Sequence, residues 1–329
     1  MPGAARGVRP AFILLLNTAL LAGCRGASAA PTAVATGLPA TPCSRTAAPG
    51  TFHLSLQIGG VPRTVIVHIP AGYTDRQHVP LVLNLHGSGS TAAQEEGFSG
   101  MDRAADTDGF IVAYPQGAIP SGSGFDWNVP GQPLFGGAIP PATAANDVTF
   151  IGDLIERLET GLCIDTTRVY ATGFSGGARM TSQLGCDLSG VIAAIAPVSG
   201  LRLPAPCDSS RAVPVVSFHG TKDPVDPYGG NGQAYWTYSV QDAARRWAAH
   251  DGCAPSPESS RTSGGAEVTL YAGCASGSTV ELYTIPGEGH EWPGGPPLPA
   301  VDTGVLGPQS DAVNADAVMW QFFSAHPLP

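Results

Sequence analysis

The chain has 329 residues, 43% of them hydrophobic, enough for one large α/β domain or two small ones. Only 13% are charged and the formal net charge is −10. No basic run and no aromatic–basic interleaving is present, which argues against nucleic-acid binding, and the acidic balance suits a soluble exported protein.

At the N-terminus Arg6 and Arg9 precede an apolar run from Ala11 to Ala22, too short to span a bilayer. The run ends in Leu21-Ala22-Gly23-Cys24, which resembles a bacterial lipobox. Residues 1–23 are therefore expected to be a lipoprotein-type signal peptide, with Cys24 as the lipidated first residue of an extracellular or cell-surface bacterial protein. An ordinary secretory signal with Cys24 incidental is the alternative. Residues 24–49 are rich in Ala, Thr and Pro, cannot bury enough apolar surface to fold alone, and read as a tether. The folded domain is then expected over 50–329.

Thr51–Gln57 and Arg63–Ile69 alternate in character around Gly59-Gly60 and predict an antiparallel hairpin. Leu81–His86 reads as a buried strand running into Gly87-Ser88-Gly89-Ser90, and Phe110–Tyr114 as another short strand. The Gly- and Pro-rich segment Gln116–Ala145 is too long for an ordinary connection and is expected to cover the site as a lid or groove wall. Asp147–Thr160 has helical spacing, with Phe150, Ile151, Leu154, Ile155 and Leu158 on one face.

Arg168–Thr172 predicts a strand and Ala178–Leu184 a helix. Between them Gly173-Phe174-Ser175-Gly176-Gly177 fits the nucleophile-elbow pattern G-x-S-x-G. A serine on so tight a turn is held in a strained conformation at a helix N-terminus, where developing negative charge is favoured. An ordinary Gly-rich loop is the bland alternative; a phosphate loop fits poorly because no Gly-Lys-Ser/Thr follows.

Val191–Val198 and Val213–Phe218 are apolar runs of strand length. The second leads into His219-Gly220-Thr221-Lys222-Asp223-Pro224-Val225-Asp226. Asp223, closer to the strand end, is favoured over Asp226 as the acid that orients a histidine base. Gln241–His250 reads as a helix, Val268–Tyr271 and Thr279–Ile285 as strands, and Ala315–Ser324 as a closing helix. His290 stands in the Gly- and Pro-flanked loop after the last strand, where its imidazole can reach Ser175. Ser, Asp, His is the chain order required of an α/β-hydrolase. A metal reading through Glu288, His290 and Glu291 is weak, because consecutive loop residues diverge; His86 and His219, which end strands, read as structural or as supports for the site residues. The Gly176 amide and a second one from Gly87 or Ser88 are the expected oxyanion donors. Strands alternating with helices predict an α/β fold, a mostly parallel central sheet with helices on both faces.

Apart from Cys24, six cysteines remain, an even number that suggests disulfides in an exported protein. Cys253–Cys274 brackets a Ser/Gly-rich excursion, Cys186–Cys207 would tie the nucleophile helix to a later loop, and Cys43–Cys163 is what remains.

These phrases together resemble the polyhydroxybutyrate-depolymerase-like esterases. That group includes LpqC-type lipoprotein esterases and the feruloyl and acetylxylan esterases of carbohydrate esterase family one. The matching phrases are Leu85–Gly89, Asn146–Ile151, Arg168–Gly177, Ala196–Gly200, Phe218–Pro224 and Gly289–Pro293, spread over about residues 50 to 325. The resemblance implies an α/β-hydrolase fold and a triad of Ser175, Asp223 and His290. One departure is Gly176, where the family often has Asn; the backbone amide remains, but a side-chain contact is lost. Absence of a following polymer-binding module argues against attack on solid polyester granules. The expected activity is hydrolysis of feruloyl or acetyl esters on plant polysaccharide (xylan), with soluble hydroxybutyrate oligomers as the alternative substrate. Transfer of the acyl group to a sugar hydroxyl is a third enzyme reading. Trp127 and Trp292 are expected to stack on sugar or phenolic rings. No cofactor or metal is implied, a monomer is expected, and membrane contact would run through the lipid anchor alone. A non-catalytic binding protein on a hydrolase scaffold is the alternative of another class.

Overall fold

The computed structural model describes residues 47–297 and 304–329. The segment expected to be a signal peptide, Cys24 and Cys43 lie outside the described residues. Strands β1 (Gly50–Ile58) and β2 (Val61–Ile69) form the expected hairpin, with Ile58 opposite Val61. They lead into β3 (Val79–Leu85), helices α1 (Ala92–Ser99) and α2 (Met101–Asp108), and β4 (Ile111–Pro115). The short pair β5 (Ile119–Ser121) and β6 (Gly124–Asp126) follows, then α3 (Asp147–Gly161), β7 (Ile164–Phe174) and α4 (Gly176–Asp187). Next come β8 (Ala194–Val198), β9 (Val215–Gly220), α5 (Val240–His250), β10 (Glu258–Arg261), β11 (Glu267–Tyr271), β12 (Val280–Ile285) and α6 (Ala315–Ala325).

Ten of these strands make one sheet in the order β1-β2-β4-β3-β7-β8-β9-β12-β11-β10. Its centre, from β4 to β12, is parallel, and antiparallel strands close both edges. Alternate strand residues feed two separate cores, as the period of two requires. Leu81, Leu83 and Leu85 pack with α3, α4 and α5 on one face, through Phe150, Leu154, Met180, Leu184 and Trp247. Val82, Tyr170, Val198 and Phe218 pack with α1, α2 and α6 on the other, through Ala92, Met101, Ala105, Met319 and Phe323. The doubly covered, mostly parallel sheet expected from the sequence is the architecture observed.

Helices α1 and α2 escape the hydrophobic pattern. α1 buries Ala92, Glu95 and Ser99, which form no apolar stripe. Its ends are nonetheless well marked: Thr91 Oγ1 caps the Gln94 amide, and Gly100 closes it in the left-handed region. β10 is exposed along its whole length and carries no alternation to read. The run from Val191 starts its strand only at Ala194, because Val191 lies in the turn that ends α4.

Two disulfides match the expected pairs, Cys186–Cys207 and Cys253–Cys274, each closing a separation of 21 residues. Cys163 is buried at the start of β7; the pairing with Cys43 lies outside the described residues.

Candidate active site

The parallel strands end level with one another. Leu85 pairs with Gly173, Phe174 with Val198, Val198 with Phe218, and Gly220 with Ile285. The loops after β3, β7, β9 and β12 therefore open along one edge, the carboxyl edge where open α/β sheets bind ligands. Those four loops carry His86–Ser90, Ser175, Asp223 and His290.

Ser175 has φ 54 and ψ −114, a conformation that non-glycine residues rarely adopt. Neighbouring backbone holds it there: its amide donates to Val198 O at 2.9 Å, and its carbonyl accepts from Arg179 N at 3.1 Å. Gly177 has no alternative, since a Cβ there would collide with the Leu85 and His86 carbonyls. The strand, the turn and the first residue of α4 thus follow without a linker.

Asp223 is 5% exposed and both its oxygens are used. Oδ1 accepts the amides of Val225 (2.8 Å) and Asp226 (2.7 Å), while Oδ2 accepts His290 Nδ1 at 2.7 Å. His219 Nε2 lies 3.2 Å from the same Oδ2 and donates to the Asp226 carbonyl at 2.8 Å. Burial alone would raise this carboxyl, but the hydrogen bonds from His219 and His290 outweigh it and hold Asp223 well below the usual carboxylate range. For His290 the balance runs the other way. Burial disfavours the imidazolium, yet the Asp223 bond and charge, helped by Asp226 and Glu291, raise it above its ordinary value. The His290 backbone is anchored by its amide to Leu306 O. Asp226, the other carboxylate in this turn, makes its hydrogen bonds here through its amide and its carbonyl and adds its charge to His290.

The loop after β3 is held from below by a histidine of defined tautomer. His86 Nδ1 donates to Gly87 O at 2.8 Å, so Nε2 accepts from Gln116 Nε2 (2.8 Å) and Gly117 N (2.9 Å). Burial pushes this imidazole down to about 4, keeping it neutral. From above, β6 pins the loop: Gly89 N donates to Phe125 O and to Asp126 Oδ1, and Phe125 N donates to Ser90 O. Of the two candidates for the second oxyanion donor, the Gly87 amide lies near the buried carboxyl of Glu95 and favours its charged form. Ser88 N lies beside Gly176: a Cβ on Gly176 would be 2.9 Å from it.

Ser175, His290, Gly87 and Ser88 line one cavity of about 640 Å³, whose other walls include Phe98, Phe135, Phe174 and Leu306. The rings of Phe98, Phe174 and His290 form a chain of contacts with centroids 4.6 Å apart at each step. Phe135 comes from the long Gln116–Ala145 segment, whose first half braces the loop after β3. The stacking roles expected for Trp127 and Trp292 are corrected by burial, at 3% and 0% exposure. Trp127 Nε1 donates to His86 O at 2.8 Å, and Trp292 Nε1 to Asp316 Oδ1 at 2.9 Å. Both are struts behind the cavity wall. Glu95 and Arg179 were not legible in advance. Each is a charged residue on a helix whose burial depends on what packs over it.

A family model described as esterase PHB depolymerase matches residues 64–229. The chain is 34% identical over 244 residues to feruloyl esterase B of Piromyces equi, covering 69% of this chain and 42% of that protein. It is 27% identical over 267 residues to poly(3-hydroxyalkanoate) depolymerase C of Paucimonas lemoignei, covering 73% of this chain and 61% of that protein. It thus spans less than two thirds of the length of each of these relatives. An acetyl xylan esterase from Aspergillus awamori superposes with a TM-score of 0.55 at 16% identity, covering 78% of this chain and 99% of that one, a likeness of fold. That fold is the α/β-hydrolase fold.

Proposed function

The chain belongs to the esterase PHB depolymerase family, and from that premise we propose that it is a serine carboxylic-ester hydrolase working through Ser175, His290 and Asp223. His290 takes the Ser175 proton as Oγ attacks the ester carbonyl. Asp223, already bonded to Nδ1, fixes the tautomer that leaves Nε2 basic and stabilises the imidazolium that forms. The negative charge on the carbonyl oxygen is met by the Gly176 and Ser88 amides; one such donor is worth roughly 3–4 kcal/mol to the transition state. The tetrahedral intermediate collapses as His290 returns the proton to the leaving alcohol. Water, deprotonated by the same His290, then cleaves the acyl-enzyme and restores Ser175.

The observation that carries this reading is the 2.7 Å Asp223–His290 bond, delivered into the cavity that the strained Ser175 also lines. We read the substrate as a feruloyl or acetyl ester of plant polysaccharide. The name of the Piromyces relative and the aromatic walls at Phe98, Phe135 and Phe174, apt for a phenolic acyl group, support it. Soluble hydroxyalkanoate oligomers are the second reading, supported by the similarity to the Paucimonas depolymerase. The disulfides fit an oxidising compartment, in keeping with export and a lipid anchor at Cys24. The test is turnover of methyl ferulate, p-nitrophenyl acetate and a hydroxybutyrate oligomer, with Ser175→Ala as control. Ferulate turnover lost in the variant supports the phenolic-ester reading, and turnover of the oligomer alone moves the assignment to polyester. No turnover, with Ser175 unreactive to fluorophosphonate, leaves a binding protein.

A further inference from the structure

Although the chain carries a net charge of −10, three arginines converge on a second cavity of about 200 Å³ next to the first. Arg179 and Arg202 are buried, at 7% and 9% exposure, and Arg246 of α5 is exposed at the rim. Among the described residues the arginine ion pairs are made by Arg63, Arg168, Arg245 and Arg261, not by these three. Asp226 and Asp126 lend Arg179 charge only from farther off. The three cations are spaced by aromatic rings instead. Arg202 lies 3.0 Å over Trp236 and 4.5 Å from the Tyr238 centroid, Arg246 lies 4.2 Å from Tyr238, and Arg179 lies 5.5 Å from Tyr235. Arg202 spends its outer nitrogens on the Leu201 and Tyr238 carbonyls, but its Nε and that of Arg179 are buried with no acceptor. Burial lowers the Arg202 guanidinium to about 9; Tyr238 and Asp226 oppose this from nearby, and the like charges of Arg179 and Arg246 add to it.

The second cavity adjoins the first. Arg179 Nη2 reaches Ser88 Oγ at 3.4 Å, and Phe135, a wall of the first cavity, stands 5.3 Å from Tyr235, a wall of the second. Arg179 is the fourth residue after Ser175, so it sits about 6 Å further along the α4 axis. Guanidinium groups with no carboxylate within ion-pair distance, gathered on one small cavity, call for an oxyanion, and their planar fork suits a carboxylate. Gln183 Oε1, also buried there without a donor, adds an acceptor for a hydroxyl.

We propose that this cavity is an anion subsite that takes a carboxylate carried by the substrate, beside the ester being cleaved. The proposal rests on Ser175 being the nucleophile. A uronic acid on a polysaccharide and the free terminus of a hydroxyacid oligomer offer the same chemistry, and paired substrates separate them. One arm compares a hydroxybutyrate trimer with its methyl ester. The other compares a feruloylated oligosaccharide bearing glucuronic acid with its carboxyl-reduced form. The readout is the ratio of kcat/KM for the charged over the neutral partner, so general changes in activity cancel.

The full-length protein is expected to favour the charged partner by about tenfold to a hundredfold in one arm or both, the value of a charge-assisted hydrogen bond. The ratio should shrink as ionic strength rises. Arg202→Gln should collapse it. Because Arg202 also braces two carbonyls, Arg246→Glu at the exposed rim is the second variant, expected to bring the ratio to one or below. Discrimination in only one arm identifies the source of the carboxylate. Turnover with no discrimination in either arm, or a ratio that survives Arg246→Glu, overturns the subsite. To separate this from failure of the esterase reading, thermal melting in sodium glucuronate or sodium 3-hydroxybutyrate is compared with sodium chloride at equal ionic strength. Stabilisation of the wild type that is lost in Arg246→Glu supports the subsite even if no ester is turned over.

Discussion

The hydroxyl of Ser88 occupies the space that a side chain on residue 176 would fill. A Cβ built on Gly176 collides with Ser88 Oγ and comes within 2.9 Å of Ser88 N. The glycine after the nucleophile and the serine in the loop after β3 are one packing solution. Gly176→Ala should therefore push the loop away from the oxyanion position and lower kcat by about a hundredfold, the scale of losing one oxyanion donor, with little change in KM. Ser88→Gly combined with Gly176→Ala should recover only the part of that loss due to the Ser88 hydroxyl, because the 2.9 Å approach to the backbone N remains. Steady-state kinetics across the four-protein cycle tests it; additive single effects would show that the two positions are not coupled.

Asp223→Asn should reduce kcat by about three to four orders of magnitude, because Asn offers His290 Nδ1 an N–H as readily as an oxygen and so loses the tautomer. Asp226→Asn should be far milder, since its hydrogen bonds in the site are made by backbone atoms and its carboxylate adds only charge to His290. Comparable losses in the two variants, measured with p-nitrophenyl acetate, would displace Asp223 from its role.

His290 must be neutral to act as base, and the structure raises its proton affinity. The acid limb of the kcat/KM profile should therefore have its midpoint above about 6.5, the ordinary histidine value. Asp223→Asn should move the residual activity's limb downward. A wild-type midpoint below that value would contradict the electrostatic balance described.

Stability should fall as pH rises from about 5 to 8. Burial, with the charge of Glu291 added, pushes the Glu288 carboxyl up to about 8; burial also puts Asp251 at about 7 and Asp316 at about 6. Unfolded carboxyls release their protons near about 4, so in this window the folded chain holds protons the unfolded one has lost. The raised His290 acts in the same direction: its contribution is full below the unfolded histidine value and lost as pH rises through the folded one. Asp223 has the opposite sign, its contribution being lost as pH falls through its lowered folded value. Thermal melts across this range should show Glu288→Gln flattening the slope; an unchanged slope would mean Glu288 is ionised in the fold.

Cys207→Ser should destabilise the protein by roughly 2–4 kcal/mol, the usual value for a bridge closing a loop of this size. Denaturant titration measures it. A loss below about 1 kcal/mol would mean the loop between β8 and β9 is held by its other contacts, among them the Arg202 stack.

Ser175, Asp223 and His290 were legible because each follows a short apolar run and is flanked by Gly or Pro, features written in adjacent residues. Trp127 and Trp292 misled for the converse reason. An indole ring beside a Gly-rich loop looks the same in sequence whether it faces a sugar or a carbonyl, and only packing put both inside. Arg179 and Glu95 lie on helices where neighbouring letters give no sign of burial. Both become buried because a separate segment closes over them: Tyr235 over the first, the turn at Gly87 over the second.

The level strand ends have a practical consequence. The loops they carry come from positions as far apart as His86 and His290, and a slip of one residue in any pairing between β3 and β12 would carry a reacting group to the wrong height. Pairing of β3 with β7 joins the oxyanion loop to Ser175, and pairing of β9 with β12 joins Asp223 to His290; only the strands between them bring the two halves together. Under the proposed function, ester turnover per mole would count molecules whose sheet has registered from β3 to β12, and during refolding it should lag behind the far-ultraviolet signal of helices that form from local contacts.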